Sequence, residues 1–123
     1  MPYTVEVERR FQARQGLRAA VRSVLPPGAT VAVLLRVGIT FDDDQLTDRG
    51  WFFDTDVVAD LLAECCAELS RETWTSLFPF RPTFELVARE LHGRLASQIA
   101  QLAYVELRDE SLGSTTRYCA PDQ

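Results

Sequence analysis

Residues 81–110 read RPTFELVARELHGRLASQIAQLAYVELRDE, and the fold is decided by how this stretch is parsed. Pro82-Thr83-Phe84-Glu85 is a helix start: the proline stops the preceding loop, the Thr83 hydroxyl suits an orphan backbone N–H, and Glu85 enters the positively polarised first turn. From Phe84 the apolar residues Val87, Ala88, Leu91 and Leu95 recur at the spacing of one buried helical stripe, with Glu90, Arg94 and Gln98 elsewhere. Leu102 to Glu110 then alternates. Ala103, Val105 and Leu107 share one side and Tyr104, Glu106 and Arg108 the other, so a helix is followed by a strand that closes on a carboxylate.

At the start of the chain Tyr3, Val5 and Val7 alternate with Thr4, Glu6 and Glu8, which predicts a first strand with one wet face. If that strand persists, Phe11, Ala13 and Gln15 share a face. Gly16 to Leu25 reads as a short amphipathic helix or as loop, and Pro26-Pro27-Gly28 ends it. Thr30 to Val37 is aliphatic and β-branched, a strand covered on both sides. Thr40 to Arg49 is a polar loop; its Asp42-Asp43-Asp44 run lacks the glycine and distal glutamate of a calcium loop. Asp54, Thr55 or Asp56 caps a helix with the stripe Val58, Leu61, Leu62, Cys65 and Leu69. Ser70 to Arg81 is expected as a loop whose Trp74, Phe78 and Phe80 either pack beneath it or line a pocket. A last strand, Thr115 to Ala120, completes the order strand, strand, helix, helix, strand, strand. Sequential pairing gives an α+β two-layer domain, residues 1–123, with an antiparallel four-stranded sheet and two helices on one face.

Composition excludes several functions. The net charge is −5, and no basic stripe exists to neutralise phosphates, so nucleic acid is not the partner. All 13 basic residues are arginine, which excludes lysine Schiff-base chemistry. There is no run of 18 apolar residues and no signal-like start, so neither a membrane span nor export is expected. Three cysteines, Cys65, Cys66 and Cys119, are an odd count that reads as reduced, and the expected location is cytoplasmic. Cys65 reads as a core thiol.

The motifs resemble the 6-pyruvoyl tetrahydropterin synthase and 6-carboxytetrahydropterin synthase family. Pro82-Thr83-Phe84-Glu85 is similar to its P-T-x-E turn, and Val105-Glu106-Leu107 through Glu110-Ser111 to its V-E-L-x-x-E-S. Upstream, Phe11-Gln12-Ala13-Arg14-Gln15-Gly16-Leu17 is similar to F-x-A-x-H-x-L, and Gly50-Trp51-Phe52-Phe53-Asp54 to G-M-V-x-D-F. The resemblance implies a tunnelling-fold-like ββααββ domain whose subunits, as a trimer or dimer of trimers, join their sheets into a barrel with pockets between neighbours. The open sheet edges would be covered that way.

It also marks departures. The family holds a zinc with three histidines, and this chain places Gln15, Pro27 and Ala29 where they would stand. His92, the only histidine, lies on the second helix, where an exposed or partly packed position is expected. No cysteine occurs between Arg18 and Pro26, and Thr73-Trp74 stands about where the acid–base Asp-His pair would. Neither a metal nor any other cofactor is therefore expected. What survives is the ligand anchor: the resemblance carries Glu110 and Thr83 onto the positions that hold the pterin, where a carboxylate pairs with adjacent N–H donors of a 2-aminopyrimidinone edge. On residues alone, Glu110 reads as a solvated strand end, and Thr83 is equally a helix cap.

Two functions follow. One is a zinc-independent enzyme with a small-molecule ligand, pterin- or purine-like or another metabolite, in an inter-subunit pocket. It performs cyclisation, isomerisation or lyase-type proton transfer with Gln15, Arg14, Glu72 and Tyr104 as catalytic candidates and Glu110, Thr83, Trp74 and Phe80 as ligand contacts. The other is a non-catalytic ligand-binding or assembly subunit of the same fold.

Overall fold

The alternation that opens the sequence builds an 11-residue strand, β1 at Tyr3–Ala13. The computed structural model, which describes residues 2–15 and 30–121, continues with β2 at Val31–Phe41, a 3-10 turn at Asp43–Gln45, α1 at Thr55–Arg71 and α2 at Trp74–Leu77. Then come α3 at Phe84–Ala96, β3 at Leu102–Asp109 and β4 at Ser114–Cys119. The alternatives for Gly16 to Leu25, the Pro26-Pro27-Gly28 stop, and Pro27 and Ala29 lie outside the described residues. The four strands form one antiparallel sheet in the order β1-β2-β3-β4. With α1 packed on β1, and α3 on β3 and β4, this is the expected α+β architecture.

The core lies between the helices and one sheet face. Phe11 and Ala13 of β1, Val33, Leu35, Val37 and Ile39 of β2, and Val105 and Leu107 of β3 supply the sheet side. Val58, Leu62, Cys66 and Leu69 of α1 and Val87, Ala88, Leu91 and Leu95 of α3 supply the helix side. Each Val, Leu, Ile or Phe among them contributes roughly 1.5–3 kcal/mol by leaving water. Asp54 caps α1 by accepting from the Asp56 N–H at 2.9 Å, and Thr83 caps α3 by accepting from Leu86 N–H at 3.2 Å. No helix among the described residues is long and apolar enough to cross a membrane.

Several details differ from the sequence reading. β2 does not stop at Val37 but runs through Gly38 to Phe41, because Gly38 leaves room for the Tyr104 ring, which occupies the place its Cβ would need. Opposite Gly38 and Ile39 the β2–β3 register shifts by one residue. The shift makes Ala103 the extra residue of a bulge, so Leu102 rather than Ala103 packs toward the core. On α1 it is Cys66 that is buried, while Cys65 is half-buried and packs against the core as expected. Residues 70–81 are not simply loop: α1 extends to Arg71 and Trp74–Leu77 is a helical turn. His92 is buried rather than exposed, edge-on to Tyr118 of β4 with ring centroids 5.3 Å apart.

Candidate ligand site at one end of the sheet

The sheet has two ends, and the predicted site residues divide between them. At the end where β1 and β3 finish, Arg14 and Gln15 continue β1 past Ala13. The Arg14 carbonyl accepts the Trp74 N–H at 2.8 Å, and the Arg14 guanidinium donates to the Arg71 carbonyl at 2.9 Å. The Gln15 amide donates to the Pro82 carbonyl at 3.2 Å. These bonds fasten the end of β1 to the turn between α1 and α2 and to the Pro-Thr turn, so Arg14, Gln15 and Thr83 are brought together. Thr83 is half-buried; its oxygen serves the helix cap, while its O–H proton stays available to a neighbouring acceptor. Glu72 is exposed just beyond α1.

Trp74 does not face this space. Its side chain is fully buried, its indole N–H donates to the Leu69 carbonyl at 3.0 Å, and its ring packs on Phe11, Phe78 and Phe84. Of the two readings of the aromatic cluster, Trp74 follows packing, which removes it as a ligand contact. Phe80 is half-buried, tilted against Phe78 at 5.0 Å between ring centroids.

Glu110 stands at the same end of the sheet, across β2. Its backbone N–H donates to the Ala32 carbonyl at 2.9 Å, one step past the paired residues of β3. The side chain is 27% exposed; one oxygen accepts Arg10 Nε at 2.7 Å and the other lies 3.8 Å from Arg108 Nε. Arg10 and Arg108 flank Leu34 in one register row and their stems cover it. Asp109 fixes the turn that follows, accepting from Ser111 N–H at 2.9 Å, Ser111 O–H at 2.6 Å and Leu112 N–H at 3.1 Å.

Tyr104 is elsewhere. It precedes Glu110 by six residues of extended chain, about 20 Å, and so does not join the group within one chain. Its O–H donates to Glu6 at 2.6 Å, and the Arg117 guanidinium lies 3.9 Å from its ring centroid. Burial first, and the bond to Glu6 second, push its phenol up to about 12.

No family model matches this chain, and no curated protein matches it.

A three-imidazole zinc does not fit the residues present. The Gln15 amide is turned onto a backbone carbonyl, and among the described residues no three His, Cys, Asp or Glu side chains converge on a point. The buried Nε2 of His92 has no hydrogen-bond partner, but His92 sits inside α3 against Tyr118, away from Gln15.

The residues that strand alternation alone missed are on the sheet face that the described helices leave uncovered: Glu8, Arg10, Arg36 and Arg117 with Glu106 among them. Their signal was present as polar residues of opposite sign at alternate positions, but it becomes readable only once the strands are in register. The Gly50-Trp51-Phe52-Phe53-Asp54 motif is also far from Glu110. It borders a cavity of about 250 Å³ at the opposite end of the sheet, lined by Tyr3, Val5, Phe41, Leu46, Trp51 and Phe52.

Proposed function

We propose that this chain is a divergent, zinc-independent relative of the 6-pyruvoyl and 6-carboxytetrahydropterin synthases, working in the cytoplasm as a homo-oligomer whose sheets join into a barrel. It binds a small pterin- or purine-like metabolite, or another ligand with a similar donor edge, between subunits. Glu110 is the anchor and Thr83 its neighbour in the site. The reaction class is cyclisation, isomerisation or lyase-type proton transfer, with Glu72 as acid or base and Gln15 or Arg14 as donors to a developing oxyanion. Tyr104 and Trp74 have no part in it within one chain.

The observation that carries this reading is the placement of Glu110. A carboxylate with two acceptor oxygens stands at the end of β3, at the same end of the sheet as the Gln15–Pro82–Thr83 junction. Such a group accepts two parallel N–H bonds from a planar heterocycle.

A second reading has its own support. Arg10 and Arg108 already neutralise Glu110, the arrangement of a strand-end ion pair in a non-catalytic assembly subunit. A thermal-shift screen of pterins, purines and related metabolites separates the two. A ligand at 100 times its dissociation constant raises stability by about 2.7 kcal/mol. A hit whose consumption can be followed supports the enzyme, a hit without turnover the binding subunit, and no hit removes both as ligand-binding proteins.

A further inference from the structure

At the end of the sheet away from Glu110 lies a group of aromatic side chains that the proposed chemistry does not use. Tyr3 of β1 pairs with Phe41 of β2 on the face that carries the core, so the two rings stack with centroids 5.2 Å apart. Phe52 continues the stack 5.0 Å from Phe41, and Phe53 meets both phenylalanines edge-on. A tight turn brings Trp51 beside them: the Thr47 N–H donates to the Trp51 carbonyl at 2.7 Å, and Gly50 takes a φ of 86° that a side chain would strain. Tyr3, Phe41, Trp51, Phe52 and Phe53 border the cavity of about 250 Å³, with Thr55 at the start of α1 beside them. Three of the four large apolar side chains that the described residues expose, Tyr3, Trp51 and Val57, lie at this end. An exposed apolar group of that kind marks a binding surface.

The charge around the cavity has one sign. Residues 42–56 carry Asp42, Asp43, Asp44, Asp48, Asp54 and Asp56 against a single base, Arg49. Asp43 accepts the O–H of the cavity-lining Tyr3 at 2.6 Å, and among the described residues no ion pair neutralises Asp43, Asp48 or Asp54. Arg49 itself rests on an aromatic face, its guanidinium carbon 5.8 Å from the Trp51 ring centroid. The chain thus already holds a cation on one of these rings. The partial positive charge at the α1 N-terminus, which would oppose another, is met by Asp54, which accepts the Asp56 N–H at 2.9 Å, and by Asp56 in the first turn.

We propose that this cavity binds a small organic cation, an alkylammonium ion whose methyl groups lie against the aromatic rings while the surrounding aspartates balance its charge. The site goes beyond the proposed function and does not rest on it. Tyr3 is seven residues of strand, about 23 Å, from Arg10, the partner of Glu110.

Other occupants match less of what is there. A metal ion needs converging ligands to replace its water, and among the described residues no three His, Cys, Asp or Glu side chains converge. An anion would be repelled by the aspartates, and a neutral apolar molecule would leave them without a role. An alkylammonium ion uses both features, since its charge is attracted by the ring quadrupole and its alkyl surface gains by leaving water. The volume sets the size. At about 250 Å³ the cavity falls just below the about 300–1,000 Å³ of sites for drug-sized ligands, so a compact ion fits it.

Choline and its neutral isostere 3,3-dimethylbutan-1-ol, in which carbon replaces the nitrogen, are the probes. Each is titrated into the full chain at constant ionic strength and followed on the backbone amide NMR signals of Gly50, Phe52 and Phe53. Choline should shift these signals saturably, and the alcohol should bind about tenfold more weakly. Trp51 is 52% exposed, so Trp51→Leu should keep its melting temperature while losing most of the choline affinity. Arg49→Gln should tighten choline binding about threefold, because it uncovers the Trp51 ring and removes the one positive charge nearby. Equal affinities for the two probes overturn the cation and leave only an apolar pocket. No saturable shift with choline, or weaker choline binding in Arg49→Gln, overturns the site. Shifts at Thr83 and Glu110 in place of Gly50 to Phe53 also overturn it, since the probe would then occupy the other end of the sheet.

Discussion

Arg10 donates its Nε to the Glu110 carboxylate at 2.7 Å, so the proposed anchor already holds a cation. Arg10 is 69% exposed, and an ion pair this wet contributes at most about 1 kcal/mol to stability. A ligand that offers two adjacent N–H groups to Glu110 has to displace it. Arg10→Gln is therefore expected to change the urea-unfolding free energy by less than about 1 kcal/mol, while a neutral ligand binds at least as tightly as before. A large loss of binding with unchanged stability would show that Arg10, not Glu110, contacts the ligand.

Gly38 and Tyr104 form a second coupled pair. A Cβ at Gly38 would occupy the position of the Tyr104 ring, which is held from above by Arg117 and at its hydroxyl by Glu6. Gly38→Ala is expected to destabilise by about 1–3 kcal/mol, the usual cost of overpacking a filled site. In the Tyr104→Ala background the same change should cost much less, and a double-mutant cycle from urea unfolding reads the difference. Additive effects would mean that the ring does not hold this place.

Glu106 is enclosed between two arginines, and its neutralisation leaves both cations underpaired on a half-buried face. Because those arginines are partly exposed, Glu106→Gln should cost less than a wholly buried pair, about 1–3 kcal/mol. Chemical denaturation measures it. A change near zero would indicate that solvent screens both pairs.

These couplings explain what the sequence allowed to be read. The β1 alternation and the stripes of α1 and α3 are local patterns, and they located the sheet, the helices and the Thr83 cap. What went astray was long-range. Gly38 reads as a strand breaker until Tyr104, 66 residues later, is seen to cover it. Trp74 sits in an aromatic-rich stretch compatible with pocket or core, and the Leu69 carbonyl that takes its N–H decides for core. Tyr104 lies in the strand that leads to Glu110, yet six residues of extended chain separate the two along that strand. The end of β1 at Arg14 and Gln15 was legible from its motif, whereas Arg10 as the partner of Glu110 required the register.

His92 gives the fold a pH dependence. Burial pushes its imidazole below the ordinary range, while in the unfolded chain it titrates near about 6.5. Between the lowered folded value and the ordinary one, the unfolded chain binds more protons. Stability contributed by the neutral ring is thus complete above about pH 6.5 and falls as pH drops through that window. His92→Leu should flatten the slope of melting temperature against pH below about 6.5. An unchanged slope would assign it to other groups.

The most direct test of the ligand anchor is titration calorimetry on the unmodified protein and Glu110→Gln with a ligand from the pterin and purine screen. The amide fits the same space, so stability should stay within about 0.5 kcal/mol. One of the two acceptors facing the ligand becomes a donor, which leaves buried N–H groups unpaired at about 1–3 kcal/mol each. Affinity is predicted to fall about tenfold to hundredfold. Equal affinities in the two proteins would contradict the account, because Glu110 would then be only the strand-end partner of Arg10.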